Sequence, residues 1–472
     1  MHDVSIALDP DDQEAIYLQI ARRIRAAVIA GAIAPGRRLP SGRALAAQLG
    51  VARGTVDAAY GVLAGEGAIE TRGAGGTIVS RQFGARPNVP AQQSMLLSPE
   101  EPAAPTGALP FQLGLPALDA FPRPLWAGLA ARIARGARPD DLAYPDPAGY
   151  AGLRQAIASY LRVGRGIACR PDQVMVTAGF QGALALVRAA LLHPGDAVWV
   201  EDPGYPAARQ ALEAAGARLV PIRVDRDGMR VASGMTAAPR AKLAVTTPTH
   251  QSPLGVSLSL PRRLALLAWA ADAKAWVLED DYDSEFRYTG HALPALKSLD
   301  QANRVLYAGS FSKVLFPALR LGYLVVPDEL ADAFTRASRL LTAGPPLLEQ
   351  QVAAAFMDKG HFGRHLRKMR VLYASRRQAL AQALSARFGK HVSIELAAGG
   401  MHILARFPGS TDDGNLARRA AQIGLAPTAL SGLTMVHDCG QGLLLGFTNV
   451  PEHTAAAMVE RLASAIPIGQ GV

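Results

Sequence analysis

Residues 276–323 read WVLEDDYDSEFRYTGHALPALKSLDQANRVLYAGSFSKVLFPALRLGY. Two short apolar runs lie in this stretch, at residues 276–278 and 305–307, and a cluster of polar residues follows each of them. Such runs are typical of buried strands in an open α/β sheet, where ligands bind at the strand ends. The stretch therefore predicts a ligand site built from two strand ends.

The residue types in the two clusters favour pyridoxal phosphate as the ligand. This cofactor needs an amine for a Schiff base, an acid opposite its ring nitrogen and donors for its phosphate. The first cluster contains Asp-x-Tyr, and the second places Lys313 after Ser-x-Ser, with Arg320 seven residues further on. Only seven of the 49 basic residues are lysines, and Lys313 alone follows a strand and a serine pair. The alternative interpretation, an ordinary salt bridge between a lysine and an aspartate, is disfavoured by this spacing.

The same stretch resembles a known family. Residues 279–288, EDDYDSEFRY, and residues 309–323, GSFSKVLFPALRLGY, are similar to the cofactor core of fold-type I aminotransferases. They are more similar still to MocR-type transcriptional regulators of the GntR family, and the resemblance covers the chain from about Ile16 to about Val450. It implies a multidomain fold: an N-terminal winged helix-turn-helix (α+β) and an α/β body of the PLP-dependent transferase fold type I, with a small C-terminal domain.

The resemblance implies a role for each polar side chain at the two strand ends. Lys313 forms the Schiff base, Asp280 keeps the ring nitrogen protonated, and Tyr282 donates to the phenolic oxygen. The phosphate is assigned to Ser310, Ser312 and Arg320, of which the arginine is the strongest donor because its fork matches phosphate geometry. The adjoining acids are expected only to face neighbouring side chains or solvent: Asp281, Asp283 and Glu285.

Two earlier segments are also assigned to the cofactor phosphate. In dimeric transaminases a tyrosine in the segment that begins here at Tyr144 reaches the partner's cofactor, so Tyr144 is the candidate; an aromatic residue packed under a loop is the alternative. The turn from strand to helix at residues 174–184 aims free N–H groups and the helix dipole at an anion. Its phosphate contacts are expected to be Gly179, Phe180 and Gln181.

Two further side chains are candidates for the cofactor ring. Tyr205, in the segment EDPGYP, is expected to stack on the pyridine ring, and a core tyrosine is the alternative. His250 lies in residues 247–255, TPTHQSPLG, where transaminases carry an Asn-Pro-containing loop. It is a candidate neighbour of the phenolic oxygen, although a lone histidine is often a structural hydrogen-bonding residue. The His-Gln form of the loop favours a regulator over a catalyst.

The first 80 residues predict a DNA-binding domain. An amphipathic helix at 15–31, a helix at 42–49 capped by Ser41, a helix at 52–66 and a glycine-tipped hairpin follow one another. Eight arginines against three acids give residues 15–80 a net charge of +5. Together with the resemblance to GntR heads, this order predicts a winged helix-turn-helix that binds double-stranded operator DNA, although helix-turn-helix patterns are also common in small helical bundles.

Five residues are assigned to DNA in this layout. The helix that begins near residue 52 is expected to enter the major groove, where Arg53 reads a guanine edge. Arg43 and Thr55 hold phosphates, and the wing glycines let the backbone approach the minor groove, at Gly75 and Gly76.

The length and composition of the chain indicate its domain organisation. At 472 residues the chain is too long for one ordinary core. We predict a head at residues 1–80, a linker with five prolines at 81–109, a large cofactor domain at 110–340 and a small domain at 341–472. The apolar runs are too short for a membrane helix, and no signal peptide is recognised. Only two cysteines are present, and together these features favour the cytoplasm. No metal site is predicted. The long linker predicts a head-to-tail homodimer.

The sequence leaves the chemistry of the effector open. Many transaminases clamp a substrate carboxylate with an arginine in the small domain, but no arginine lies between Arg419 and Arg461. Three other arginines are candidates for this role, and the sequence does not distinguish between them: Arg406, Arg209 and Arg123. We interpret the chain as a regulator that senses pyridoxal phosphate or an amine or amino acid. The alternatives are an active aminotransferase with an appended head, and a body that only dimerises the head and binds no cofactor.

Overall fold

A computed structural model describes residues 8, 12, 14–73, 76–81, 107–291, 293–408 and 412–466. The chain divides into two units, Met1–Glu101 and Pro102–Val472. This division lies within the predicted linker, of which residues 82–106 fall outside the described part. None of the described helices is long and apolar enough to cross a membrane.

The first unit contains three helices and a two-stranded hairpin: α1 (Ile16–Ile29), α2 (Gly42–Leu49), α3 (Arg53–Gly65), β1 (Ile69–Thr71) and β2 (Thr77–Val79). Ser41 caps α2 by accepting a hydrogen bond from the amide of Ala44 at 3.2 Å, and Gly50 ends the helix with a φ of +66°. Apolar faces of the three helices form one core, centred on Ile20, Val56 and Leu63. The predicted winged helix-turn-helix is confirmed, with element ends within two residues of the prediction.

The second unit is built on an eight-stranded sheet with the order β3-β10-β9-β8-β7-β4-β5-β6. Strands β4, β5, β7, β8 and β9 run parallel, whereas β10 and the short β6 are antiparallel to their neighbours. The strands are β3 (Val174–Thr177), β4 (Ala197–Asp202), β5 (Arg218–Asp225), β6 (Gly228–Met229), β7 (Leu243–Thr246), β8 (Trp276–Asp281), β9 (Val305–Ser310) and β10 (Gly322–Val325). This is the mainly parallel sheet that the sequence predicts.

Helices connect these strands, and a smaller sheet follows them. The helices are α4 (Arg123–Arg135), α5 (Ala151–Gly164), α6 (Gly179–Leu191), α7 (Pro206–Glu213), α8 (Val231–Ala237), α9 (Leu260–Asp272), α10 (Ala331–Thr342), α11 (Leu347–Asp358), α12 (His361–Phe388), α13 (Asp413–Gln422) and α14 (Ala455–Ala465). The small antiparallel sheet has the order β11-β12-β14-β13, with β11 (Ser393–Glu395), β12 (His402–Arg406), β13 (Thr428–Ala429) and β14 (Leu443–Gly446). The predicted boundary between residues 340 and 341 falls inside α10, so the division of the body stays a proposal.

The acidic residues at and just after the end of β8 face neighbouring side chains, one of the two surroundings expected for them. Asp281 and Asp283 are buried, and Glu285 is half-buried. Because side chains alternate along a strand, Asp281 points to the face opposite Asp280. There Asp281 pairs with Arg165 at 2.6 Å and accepts a hydrogen bond from the Tyr307 hydroxyl at 2.6 Å. Glu285 accepts from the Tyr160 hydroxyl at 2.7 Å, and burial raises its pKa to about 7. The sheet therefore carries a polar network beneath the strand ends.

We predict that Asp281→Asn lowers the free energy of unfolding by about 3 kcal/mol or more, because it leaves the guanidinium of Arg165 buried without its counter-charge. The matched control is Asp328→Asn, which breaks an exposed pair with Arg170 at 2.8 Å and is expected to cost less than about 1 kcal/mol. Denaturant unfolding of the two variants measures the difference, and equal losses would contradict the role given to the buried pair.

Candidate cofactor site and DNA-binding surface

Lys313 follows β9 and reaches back to the start of the body. Its Nζ donates a hydrogen bond to the carbonyl oxygen of Gly114 at 3.0 Å. Gly114 has a φ of +67°, and a Cβ at this position would overlap the lysine ammonium. Burial lowers the pKa of Lys313, while Asp280 and Asp283 raise it. A lysine with a depressed pKa has a larger fraction of neutral, nucleophilic amine.

Asp280, on β8, is buried at 8% exposure. Burial and the neighbouring Asp281 raise its pKa well above its ordinary value, and Lys313 opposes this change. Among the described residues, no hydrogen bond or ion pair satisfies this carboxylate. A buried carboxylate of this kind is costly unless a cation meets it, so it fits the protonated ring nitrogen of pyridoxal phosphate.

Donors converge at the N-terminus of α6, where the sequence predicts the phosphate. Gly179 opens the helix with a φ of +70°. A Cβ built on Gly179 would lie 4.0 Å from both terminal nitrogens of Arg320 and from Ser312 Oγ. Arg320 is anchored by a hydrogen bond to the carbonyl of Ala178 at 3.3 Å, and Ser310 Oγ accepts from the Ser312 amide at 3.2 Å. Helix N–H groups, a hydroxyl and a guanidinium therefore form a cradle of the kind that phosphate prefers.

The predicted ring contacts lie at the same edge of the sheet. Tyr205 precedes α7, and its half-exposed ring meets Phe180 edge-to-face with the centroids 6.1 Å apart. Gln181 lies in the first turn of α6, beside Gly179. Tyr144 is 93% exposed, so its assignment to the cofactor of a second subunit stays a prediction. The residues present in one chain fit the cofactor without it.

His250 contacts Tyr282, one of the predicted cofactor residues, directly. Its Nδ1 lies 3.0 Å from the Tyr282 hydroxyl and 3.0 Å from Asp283 Oδ2. No role at the site was predicted for Asp283. Glu201, a buried acid at the end of β4 whose pKa burial raises, was not predicted either. Glu201 accepts hydrogen bonds from the hydroxyls of Thr246 and Thr247, each at 2.6 Å. Its position directly after an apolar run, like that of Asp280, is the feature that could have identified it.

Asp202 ties the cofactor edge to the small sheet. Its fully buried carboxylate accepts the backbone amides of Met435, Val436 and His437 at 2.7, 2.8 and 2.8 Å. The Gly204 amide, in the turn before Tyr205, donates to Leu433 at 3.1 Å. The segment between β13 and β14 is therefore fastened to the turn that carries Tyr205.

The three substitute arginines differ in their surroundings. Arg406 is held by Glu395 at 2.5 Å and by the carbonyl oxygens of Cys439 and Gln441. Arg123 is exposed at the start of α4, and Arg209 donates to the Leu433 carbonyl at 3.2 Å.

The inner face of β14 is apolar. Leu444 forms a buried cluster with Leu404 and Leu430, and Leu113 and Leu254 pack against it. Leu113 precedes Gly114, the hydrogen-bond partner of Lys313. Leucines thus occupy the part of the small sheet that approaches the loop containing Lys313.

In the head, Arg53 is exposed in the first turn of α3 and pairs with Asp57 at 3.3 Å. Arg43 is exposed in the first turn of α2, and Thr55 is half-buried in α3. Gly76 has a φ of +79°, whereas Gly75 lies outside the described residues. A Cβ on Gly76 would overlap the guanidinium of Arg38, which precedes α2, bridges to Ile78 of β2 and was not among the predicted DNA contacts.

Comparisons with known proteins agree with both units. The family of bacterial regulatory proteins, gntR family, matches residues 16–79, and aminotransferase class I and II matches residues 116–423. The chain is 37% identical to the probable rhizopine catabolism regulatory protein MocR of Rhizobium meliloti, over 98% of this chain and 95% of that one. It is 32% identical to the pyridoxine biosynthesis transcriptional regulator PdxR of Corynebacterium glutamicum, over 99% of each chain.

A solved structure supports the fold of the body. The kynurenine aminotransferase of Pyrococcus horikoshii, determined in complex with PMP, superimposes with a TM-score of 0.70 at 30% identity. The superposition covers 78% of this chain and 93% of that enzyme. The chain therefore belongs to the MocR-type regulators of the GntR family, in which a winged helix-turn-helix precedes a body of the pyridoxal phosphate-dependent aminotransferase fold.

Proposed function

We propose that this regulator binds an operator through its head and senses pyridoxal phosphate, or an amine that reacts with it, through Lys313. The observation that carries the proposal is the joint presence of three features in one chain with a DNA-binding head. They are a phosphate cradle at Gly179, a buried acid at Asp280 that the described residues leave without a partner, and a buried lysine. A body that only dimerises the head has no need of this set, which disfavours the third interpretation.

The residues of the body can convert effector chemistry into a change of charge and contacts. Bound pyridoxal phosphate supplies an electrophilic carbon that exchanges one amine for another. If an effector amine took the place of Lys313 on the cofactor, the lysine would regain an ammonium group close to Asp280 and Asp283. The site also adjoins the turn that Asp202 fastens to the small sheet. Differential contacts of this kind bias the position of the small sheet and hence the state of the regulator.

An active aminotransferase is the second candidate, favoured by the complete lysine–acid–tyrosine set. The buried leucine cluster around Leu444 and the engagement of Arg406 by Glu395 disfavour efficient recognition of an amino acid carboxylate. Product accumulation over many cycles, with excess amine and keto acid, would establish the enzyme instead of the sensor.

We further propose a head-to-tail homodimer working in the cytoplasm, where a bacterial regulator meets its operator. A groove beside Arg320 is lined by apolar residues of α6 and α10, among them Leu186 and Leu341. The side chain of Leu340, which precedes Leu341, is 86% exposed, and that of Tyr144 is 93% exposed. Exposed apolar surface of this extent beside a cofactor site supports a second copy of the body as its partner. Sedimentation that gives only monomers would contradict this.

The experiment that tests the sensing proposal is a footprint on DNA upstream of the gene for this protein and of its neighbours, with and without pyridoxal phosphate. A footprint that appears, shifts or vanishes with the cofactor identifies the cofactor as the effector. A footprint indifferent to the cofactor points to an amine, which is then added to the loaded protein. Indifference to both would contradict sensing by the body.

Lys313→Ala is expected to abolish the visible absorption of the lysine-linked cofactor, because no other amine replaces it. Absorption spectroscopy at matched cofactor concentration measures the loss, and circular dichroism checks that the variant folds. Lys297→Ala, which removes a lysine paired with Asp300 at 3.3 Å, is the control that keeps the band. A band retained in Lys313→Ala would overturn the assignment.

Arg53→Ala is expected to weaken operator binding by about 1–3 kcal/mol, through loss of a bidentate base contact. Titrations on operator and on random DNA at one salt concentration measure the difference. The control is Arg25→Ala, because Arg25 is bound to Glu66 at 2.5 Å, away from the first turn of α3. Equal weakening on both DNAs would make Arg53 a phosphate contact instead.

A further inference from the structure

His250 lies where three elements meet. One of its ring nitrogens contacts both a hydroxyl group and a carboxylate. Its Nδ1 is 3.0 Å from the Tyr282 hydroxyl and 3.0 Å from Asp283 Oδ2. The histidine is 7% exposed and Asp283 is 2% exposed, so both partners are shielded from water. A buried contact of this kind restricts which group can carry the proton.

The surroundings of the other ring nitrogen define the tautomer. Nε2 is buried and has no hydrogen-bond partner among the described residues. It faces two glycines, Gly255 and Gly400, where a Cβ would come too close to the ring. A proton on Nε2 would therefore be a buried donor without an acceptor, which costs more than an unused lone pair. The proton is accordingly assigned to Nδ1, where Asp283 accepts it.

This tautomer has a consequence for Tyr282. An Nδ1–H that points to Asp283 and the Tyr282 oxygen leaves no lone pair to accept the tyrosine proton. The Tyr282 hydroxyl must then turn its O–H away from His250. Other groups also face this pair. The ring centroid of His402 lies 5.8 Å from that of His250, and Arg287 lines the same small cavity. Burial, Asp283 and Asp280 raise the pKa of Tyr282 well above its ordinary value, whereas a hydrogen bond with the Ser252 side chain lowers it.

We propose that His250 and Asp283 are positioning residues that fix the Tyr282 hydroxyl as a donor directed at the phenolic oxygen of the cofactor. This inference rests on the proposed cofactor site. In it, His250 orients Tyr282 instead of contacting the cofactor. It also explains why two glycines flank the ring, since larger residues would displace it. Both glycines have positive φ, +70° at Gly255 and +92° at Gly400.

The test is the pH titration of the visible absorption of the Lys313-linked cofactor, which needs no turnover. A donor to the phenolic oxygen stabilises its negative charge and so lowers the pKa of the linkage. Tyr282→Phe is expected to raise that pKa by about one unit. His250→Gln, which moves the amide to the place of Nε2, is expected to raise it in the same direction. His250→Asn keeps an N–H near the place of Nδ1 and is expected to titrate like the parent protein.

A double variant separates positioning from direct contact. If His250 acts through Tyr282, His250→Gln adds no shift in a Tyr282→Phe background, and the two single shifts are not additive. An unchanged titration in His250→Gln, or an equal shift in both backgrounds, would overturn the proposal. Absence of the visible band from the parent protein, or its persistence in Lys313→Ala, would instead refute the proposed cofactor site. Failure of the cofactor site and failure of the positioning role therefore give different results.

Discussion

One buried carboxylate, for which the described residues supply no hydrogen bond or ion pair, organises the body. Strand β8 carries several acids into the interior, and almost every one is satisfied by the protein itself. Glu279 accepts the amides of Leu296 and Lys297, each at 2.8 Å. Asp281 pairs with Arg165, and Asp283 faces His250. Among the described residues no donor meets Asp280, and burial raises its pKa well above the ordinary value. The strand therefore presents an acid that a protonated ring nitrogen would stabilise in its charged form.

The rest of the site follows from this constraint. A cation at Asp280 would need a second point of attachment, and the arrangement of Gly179, Ser312 and Arg320 at the neighbouring strand end is suited to an anionic group. Lys313 stands between them, and its lowered pKa suits a covalent link. The Asp202 contacts then fasten the segment before β14 to the same edge. Buried hydrogen bonds therefore join this edge of the large sheet to the segment before β14.

Much of this arrangement could be predicted from the sequence. The rest could not, and the reason is physical. Lys313, Asp280 and Tyr282 stand in short motifs at strand ends, so local order was sufficient to predict them. The winged head was predicted for the same reason, from caps and glycines close together in the chain. By contrast, the Glu201–Thr246 and Asp202–Met435 hydrogen bonds join residues 45 and 233 positions apart. The partners of Asp281 and Glu285 could not be named from the sequence, because Arg165 and Tyr160 lie at the end of α5 and within it, more than a hundred residues earlier.

The measurement that tests the central claim most directly is the thermal stability of Asp280→Asn, with and without pyridoxal phosphate. If the buried carboxylate exists to meet the cofactor, the nearly isosteric amide removes a cost from the free protein. The account predicts that the variant without cofactor melts higher than the parent, and that the cofactor raises its melting temperature less than it raises that of the parent. A variant that melts lower without cofactor, and gains as much from the cofactor as the parent does, would contradict the account.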